Sequence, residues 1–173
     1  MPPILATPLP PKALLQRYAQ SGAYTDCYCV QLPLSVSLAD YVQAFYTTPL
    51  FKLERALLGV LAGKPSTDHD ALQLARGTSP SFAVWTVEER APHQLLLRQN
   101  GGPTRSWLMV ESPVASDTKG TCLYFGSAFL PQSNHQTGQV KFSWDFHALS
   151  GVHRLYSRAL LRAACKKLMV SGR

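Results

Sequence analysis

Apolar and polar residues alternate near the end of the chain before the spacing becomes helical. Between 139 and 146 every second residue is apolar, namely Val140, Phe142, Trp144 and Phe146. Side chains two residues apart share one face of a strand, so this pattern predicts a strand that buries these four. The strand is expected to lead through a corner into one long helix.

From 149 onward the apolar residues recur with the helical period of about 3.6 residues. The apolar half of this predicted helix consists of Leu149, Val152, Leu155, Tyr156, Ala159, Leu160 and Ala163. Arg154, Arg158 and Arg162 fall on the opposite side. Such a helix needs a broad apolar surface to cover, and the preceding strands are expected to supply it.

The rest of the chain is predicted to hold an N-terminal arm and one domain. Five prolines within residues 1–23 predict an extended arm that carries a short helix at 12–20, and residues 24–173 are predicted to form a single domain. Alternating or apolar-rich runs bounded by turn residues predict strands at 24–32, 82–89, 94–100, 105–112 and 121–130. Helices are predicted at 38–46 and 50–61, a loop at 64–70 and a short strand at 71–75.

The predicted order is a strand, two short helices, an antiparallel meander and one long helix. This order is similar to the helix-grip fold of the START, polyketide-cyclase and plant-allergen-like superfamily, also called SRPBCC. Residues 138–147, GQVKFSWDFH, and 151–162, GVHRLYSRALLR, resemble the end of an uncharacterised bacterial family, a domain family of unknown function, within that superfamily. The resemblance implies an α+β fold in which a curved antiparallel sheet wraps around the long C-terminal helix, with two short helices after the first strand.

The resemblance further implies that ligands bind in a cavity between the sheet and the C-terminal helix. Residues 105, 107, 109 and 111 share one strand face, residues 121 to 129 supply a second face at every other position, and both faces are expected to point inward. The candidate cavity residues are Arg105, Trp107, Met109, Glu111, Phe125, Ser127, Trp144, Tyr156 and Ala159. Large apolar walls with a few polar groups are typical of small-molecule pockets, and the alternative is a filled core.

Two candidates are polar members of an otherwise apolar strand face. Arg105 and Glu111 are six residues apart, about 20 Å on a straight strand, so they are not expected to pair. Arg105 could bind an anionic head group, and Glu111 could act as an acid or base if burial raises its pKa. The alternative is that both are solvated residues at the rim.

The net charge of +7 is concentrated at the C-terminus. Residues 149–173 contain six basic residues and no acid, so they hold six of the seven net charges. The candidate basic surface consists of Arg154, Arg158, Arg162 and Lys166. It could dock on an anionic membrane or an acidic partner, or it could be a solvated helix face. Nucleic acid is not expected as a partner, because aromatic residues do not interleave with these cations.

Composition favours a self-sufficient domain without resident metal or cofactor. With 173 residues and 46% hydrophobic residues the chain can bury a core, and no window approaches the roughly 18 to 20 apolar residues of a membrane span. The N-terminus lacks a secretory pattern, so the expected location is cytoplasmic. Cys27 and Cys29 are predicted to point to opposite faces of a strand, and together with the isolated Cys122 and Cys165 they are expected to be free thiols without zinc.

Three histidine or carboxylate side chains lie near the corner before the long helix. Asp145 with His147 or His153 could orient a general base, but capping and structural hydrogen bonds are the favoured roles. The chain contains no Walker loop, no dinucleotide-binding glycine motif, no zinc-protease motif and no nucleophile elbow.

Three functions remain from these patterns. The first is a protein that binds a hydrophobic or amphipathic small molecule between sheet and helix. The second is an enzyme of the cyclase or dehydratase kind that uses Glu111, Arg105 or Tyr156 for acid–base steps. The third is an interaction module that docks on an anionic surface through the basic side of the C-terminal helix.

Overall fold

The computed structural model describes residues 1–63, 65–112, 120–131 and 145–171, which form one α+β unit. The strands are β1 (Leu5–Ala6), β2 (Tyr24–Leu32), β3 (Ser81–Phe82), β4 (Trp85–Ala91), β5 (Gln94–Gln99), β6 (Thr104–Glu111) and β7 (Thr121–Phe129). The helices are α1 (Gln16–Gln20), α2 (Leu38–Tyr46), α3 (Pro49–Ala62), α4 (Asp68–Arg76) and α5 (Asp145–Ser171).

All the strands belong to one open antiparallel sheet in the order β1-β2-β7-β6-β5-β4-β3. The long central pairs are β2 with β7 and β7 with β6, and the register sets Asp26 opposite Ser127 and Ser127 opposite Ser106. Side chains of directly opposite residues lie on the same face, so each such row crosses the sheet on one side. The predicted strands of the meander are confirmed.

Three helices, not two, separate β2 from β3, and the strand predicted at 71–75 is wrong. These residues lie in α4, which begins with a capping box in which Thr67 and Asp70 exchange hydrogen bonds and ends at Gly77 in the left-handed region. Residues 68–70, predicted as loop, also belong to this helix. Ala71, Leu74 and Ala75 are buried, so their spacing is that of a helix face and not of a strand.

One face of the sheet packs against the helices. β2, β6 and β7 contribute Tyr28, Val30, Leu108, Leu123 and Phe125 to this core, and α2 and α5 cover them. Arg55, in the second turn of α3, is only 8% exposed and donates to the carboxylate of Asp68 at 2.8 Å. Asp68 is the first residue of α4, so this ion pair links the start of α4 to α3.

The other face of the sheet, which we call the outer face, is covered by the N-terminal segment. Leu15 and Trp107, both fully buried, meet there in a second core that also contains Ala13, Cys27, Leu96, Met109 and Ala128. Gln94 fixes the segment by accepting from the Leu14 amide and the Trp107 indole at 2.9 Å each and by donating to the Lys12 carbonyl. The second half of the proline-rich arm is thus packed against the sheet. Its short helix, predicted at 12–20, spans Gln16–Gln20.

Close contact at the outer face requires a glycine in β7. A Cβ atom on Gly126 would lie 2.8 Å from the Asp26 carbonyl oxygen, 3.0 Å from the Trp107 ring and 3.1 Å from a Leu15 methyl. The absence of a side chain lets the indole and the N-terminal segment lie directly on the strand.

The C-terminal helix begins earlier than predicted and buries a different stripe. Asp145 and Phe146, predicted to end a strand, lie in α5, and residues 139–144 of that strand fall outside the described residues. Val152, Leu155 and Ala159, predicted to be buried, are exposed. The buried side is formed by Ser157, Leu160, Leu161, Ala164, Cys165 and Leu168.

The physical reason for this difference is that α5 contacts α2 and α3 as well as β2 and β7. The residues of α5 that are buried are therefore those that face both the sheet and the other helices. Small residues such as Ser157 and Ala164 allow α5 to pack closely against these neighbours. Arg154, Arg158 and Arg162 are exposed as predicted. Among the described residues, no helix has the length and apolarity that crossing a membrane requires.

Packing of the N-terminal segment makes a testable prediction for Leu15. We expect Leu15→Ala to lower the free energy of unfolding by about 3 kcal/mol, because it removes a fully buried side chain and leaves a cavity beside Trp107. The measurement is urea unfolding. Leu5→Ala, at a residue that is 57% exposed in the same segment, is the control and should change stability by less than about 0.5 kcal/mol. Equal losses for the two variants would contradict the second core.

Candidate functional site

A cavity of about 210 Å³ lies between the sheet, α3 and α5. Its walls come from α2, α3, the β3–β4 corner, β6, β7 and the middle of α5. The lining residues are Phe45, Tyr46, Phe51, Glu54, Val84, Trp85, Gln99, Thr104, Arg105, Ser106, Phe125, Ser127, His153, Tyr156, Ser157 and Leu160. Apolar walls with several polar groups are what a pocket for a small amphipathic molecule requires.

Aromatic rings form the apolar part of the cavity. Phe45 lies between Phe125, at a centroid distance of 4.8 Å, and Tyr46, at 5.2 Å, while Phe51 meets Tyr46 edge to face at 4.8 Å. These rings come from α2, α3 and β7, so the cavity wall is set by the packing of two helices on the sheet. Aromatic pairs in such tilted arrangements stabilise one another beyond their buried area.

A row of polar residues crosses the sheet beneath α5. Asp26 of β2, Ser127 of β7 and Ser106 of β6 lie side by side in the register. The Asp26 Oδ1 atom accepts from the Ser127 amide at 3.0 Å and from the Ser127 hydroxyl at 2.5 Å. Tyr46 places its hydroxyl 3.3 Å from that of Ser106 at the other end. The row is therefore held by strand register and by α2.

His153 of α5 is attached to this row. Its Nε2 atom lies 2.7 Å from the Ser127 hydroxyl, 3.5 Å from the Ser157 hydroxyl and 3.6 Å from the Asp26 Oδ2 atom. The single hydroxyl proton of Ser127 is donated to Asp26. In the 2.7 Å contact between His153 and Ser127 the proton must therefore belong to Nε2, which donates to the serine oxygen.

This geometry differs from that of a nucleophilic serine site. In such a site the histidine accepts the serine proton and the carboxylate orients the far side of the imidazole. Here the carboxylate contacts the serine itself, and the histidine nitrogen that meets the serine carries a proton. The cluster therefore presents hydrogen-bonding groups at the cavity, but it does not activate Ser127.

A second polar pair closes the cavity between α3 and α5. The Tyr156 hydroxyl donates to the carboxylate of Glu54. Burial raises the pKa of Glu54 above its ordinary value, and burial together with this neighbouring carboxylate raises the pKa of Tyr156. Tyr156 is therefore a neutral donor over the ordinary pH range, and Glu54 keeps its proton to a higher pH than a solvated carboxyl group.

The structure brings together four of the predicted cavity residues and separates others. Arg105, Phe125, Ser127 and Tyr156 line the cavity, whereas Ala159 is exposed on α5. Arg105 borders the cavity, but its guanidinium lies 2.7 Å from the carboxylate of Glu88 and is only partly exposed. Trp144 lies outside the described residues.

The expectation that both strand faces point to the C-terminal helix is wrong for β6. Trp107 pairs with Gly126, whereas Phe125 and Ser127, which face the helices, pair with Leu108 and Ser106. Adjacent residues of a strand point to opposite faces, so the whole set Arg105, Trp107, Met109 and Glu111 belongs to the outer face. Arg105 and Glu111 do not pair, since Glu111 accepts from Tyr124.

Met109 and Glu111 line a separate, wider depression of about 790 Å³ near the N-terminal segment. Pro10, Lys12 and Val36 are among its other borders. No comparable set of buried polar groups converges on it within the described ranges. The first cavity is therefore the better candidate site.

Several site residues were missed because no local motif marks them. Glu54 and Ser106, which line the cavity, and Asp26, which lies behind Ser127, come from three distant segments and are brought to the site only by register and helix packing. His153 was expected to be structural, and the structure gives it contacts to Ser127 and Ser157 at the cavity. The side chains of Asp145 and His147 lie outside what the structure describes.

The cysteines need one correction. Cys27 and Cys29, predicted on opposite faces, share the outer face, because residues two apart in a strand point the same way. Burial raises the pKa of Cys27 to about 12 and that of Cys29 to about 11, so both thiols are protonated at neutral pH. Where side chains are described, the four cysteines are free and no His, Cys, Asp or Glu group is arranged to hold a metal ion.

Comparison of the chain with protein-family models, with curated proteins and with solved structures finds no match. The resemblance to the SRPBCC superfamily therefore stays a prediction from the sequence.

The raised pKa of Glu54 predicts how stability depends on pH. The folded protein binds the Glu54 proton more tightly than the unfolded chain, so this residue should reduce the free energy of unfolding as the pH rises above about 4.5. Glu54→Gln removes this contribution, and we expect a flatter stability profile between about pH 4.5 and 7. Urea unfolding at several pH values measures it. An unchanged slope in Glu54→Gln would contradict the assignment.

Proposed function

We propose that this protein binds a small amphipathic molecule in the cavity between the sheet and the C-terminal helix, within a fold of the helix-grip type. The observation that carries the proposal is a cavity with aromatic walls on one side and a row of hydrogen-bonding groups on the other. The open antiparallel sheet with a helix from the C-terminus across one face is compatible with that fold.

The polar groups define what the guest must offer. The protons of His153 Nε2 and Tyr156 are donated to Ser127 and Glu54, so the polar side of the cavity offers a guest mainly the remaining lone pairs of the Glu54 carboxyl group and the serine hydroxyls. Phe45, Phe51 and Phe125 require an apolar body. A neutral molecule with one hydrogen-bond-donating end fits this arrangement better than a pure hydrocarbon, since a hydrocarbon would leave these lone pairs without a partner.

The direct test is whether a guest is bound and where. Native mass spectrometry of the purified protein before and after organic extraction should show the loss of a bound small molecule, and the extracted protein should bind an apolar dye. Thr104→Trp, which fills the cavity from β6, should weaken dye binding by at least about tenfold. Gln31→Trp, at an exposed strand position away from the cavity, is the matched control. An empty protein that also fails to bind the dye would overturn the proposal.

A second candidate function is favoured by one observation, the convergence of His153 and Glu54 on the same cavity. A protonated imidazole nitrogen and a carboxyl group with raised pKa could transfer protons to and from a guest, as in an enzyme of the cyclase or dehydratase kind. Arg105 and Glu111, the acid–base groups suggested by the sequence, have other partners, so this role would fall to His153, Glu54 and Tyr156.

Enzymatic turnover can be separated from binding with the copurified guest itself. If the protein is an enzyme, incubating the guest with the wild-type protein should change its mass, where water is lost, or its chromatographic retention, where it is cyclised without loss of mass. His153→Gln should slow the change by about a hundredfold while dye binding persists. A guest whose mass and retention are both unchanged after prolonged incubation would leave binding as the function.

A further inference from the structure

The exposed side of α5 carries cations and large apolar side chains on the same stripe. Leu155, Arg158, Arg162 and Lys166 succeed one another at spacings of three and four residues, so they lie along one line of the helix. All four are exposed, and Leu155 is 71% exposed. We call this line, with the flanking Val152 and Val170, the α5 stripe.

Within the part of the chain that the structure describes, no acidic side chain pairs with the cations of the α5 stripe. No acid follows Asp145 in the helix, and none of the ion pairs found among the described residues involves Arg158, Arg162 or Lys166. Arg158 makes one polar contact, a 3.4 Å hydrogen bond to the Ile4 carbonyl, which leaves its charge in place. Lys167, on another side of the helix, binds Thr47 and is not part of the stripe.

The apolar members of the stripe are as unusual as its charge. Val152 is 66% exposed and Val170 is 69% exposed, and with Leu155 they extend over eighteen residues of helix, about 27 Å. Two of the remaining exposed large apolar side chains, Met1 and Leu5, lie in the N-terminal segment. A solvated basic face would gain nothing from these apolar residues, whereas an interface with lipid would bury them.

From these observations we infer that the α5 stripe docks on an anionic lipid membrane, with the helix lying parallel to the surface. The arginines and the lysine would meet lipid phosphates and carboxylates, and Leu155, Val152 and Val170 would enter the boundary between head groups and acyl chains. Nucleic acid offers the same anions but no apolar layer for these three side chains, so it fits less well. This surface is separate from the cavity, since His153 and Ser157 of the cavity lie about 160° to 200° around the helix from Leu155 and no residue of the stripe lines the cavity.

The test is sedimentation of the full chain with vesicles. We expect binding to phosphatidylcholine vesicles that contain about one-third phosphatidylserine, no binding to pure phosphatidylcholine, and loss of binding as salt is raised, because the attraction is screened. Removing each arginine charge should weaken binding about fivefold, so Arg158→Gln with Arg162→Gln should weaken it by about twenty-five-fold. Leu155→Ser should also weaken vesicle binding, and this effect should not depend on the salt concentration.

Arg76→Gln with Arg98→Gln is the matched control, because it removes the same charge from exposed positions on α4 and β5. These positions lie on elements that do not border the α5 stripe, and the control should bind as the wild type does. Circular dichroism should show that all variants remain folded, since every changed side chain is exposed. The inference is overturned if the wild type ignores anionic vesicles, if both arginine pairs have equal effects, if Leu155→Ser binds normally, or if the stripe binds DNA in preference to vesicles.

Discussion

Burial of both faces of a single antiparallel sheet is the constraint on which the other features depend. One face packs under α2 and α5, and the outer face packs under the N-terminal segment, with Trp107 and Leu15 fully buried. Each central strand must therefore carry apolar side chains at successive positions, as strands buried on both sides do. This leaves few positions for polar groups, and those that occur beneath α5 are concentrated in the row of Asp26, Ser127 and Ser106.

The polar row shows how a site can be built on a sheet that is buried on both faces. Asp26 has a side chain that is only 7% exposed, and its Oδ1 atom accepts two hydrogen bonds from Ser127. Its Oδ2 atom has no hydrogen-bond partner among the described residues and lies 3.6 Å from His153 Nε2. The Ser127 hydroxyl that donates to Asp26 also meets the imidazole at the cavity, so folding and positioning of the site use one set of contacts.

The strands of the meander, α2, α3 and the long C-terminal helix could be predicted from sequence, since period and turn residues are local signals, whereas the residues of α4 were predicted as a loop and a strand. What could not be predicted was which face of β6 meets the helices, because Trp107 and Met109 on one side and Leu108 and Val110 on the other are equally apolar. The prediction of which α5 residues are buried was wrong for a related reason. By residue type Leu155 is expected in the core and Ser157 on the surface, but in the packed structure Leu155 is exposed and Ser157 is buried. Asp26, Glu54 and His153 are brought to the site only by the tertiary structure, so their spacing in the sequence does not indicate a site.

The short strands at both borders of the sheet have a consequence for behaviour at high concentration. β1 and β3 each contain two residues and stand at the two ends of the strand order. Each of them pairs with two residues of the longer strand beside it, β2 or β4. A border of this kind interrupts the run of amide and carbonyl groups that a neighbouring molecule could extend, which disfavours fibre-like self-association.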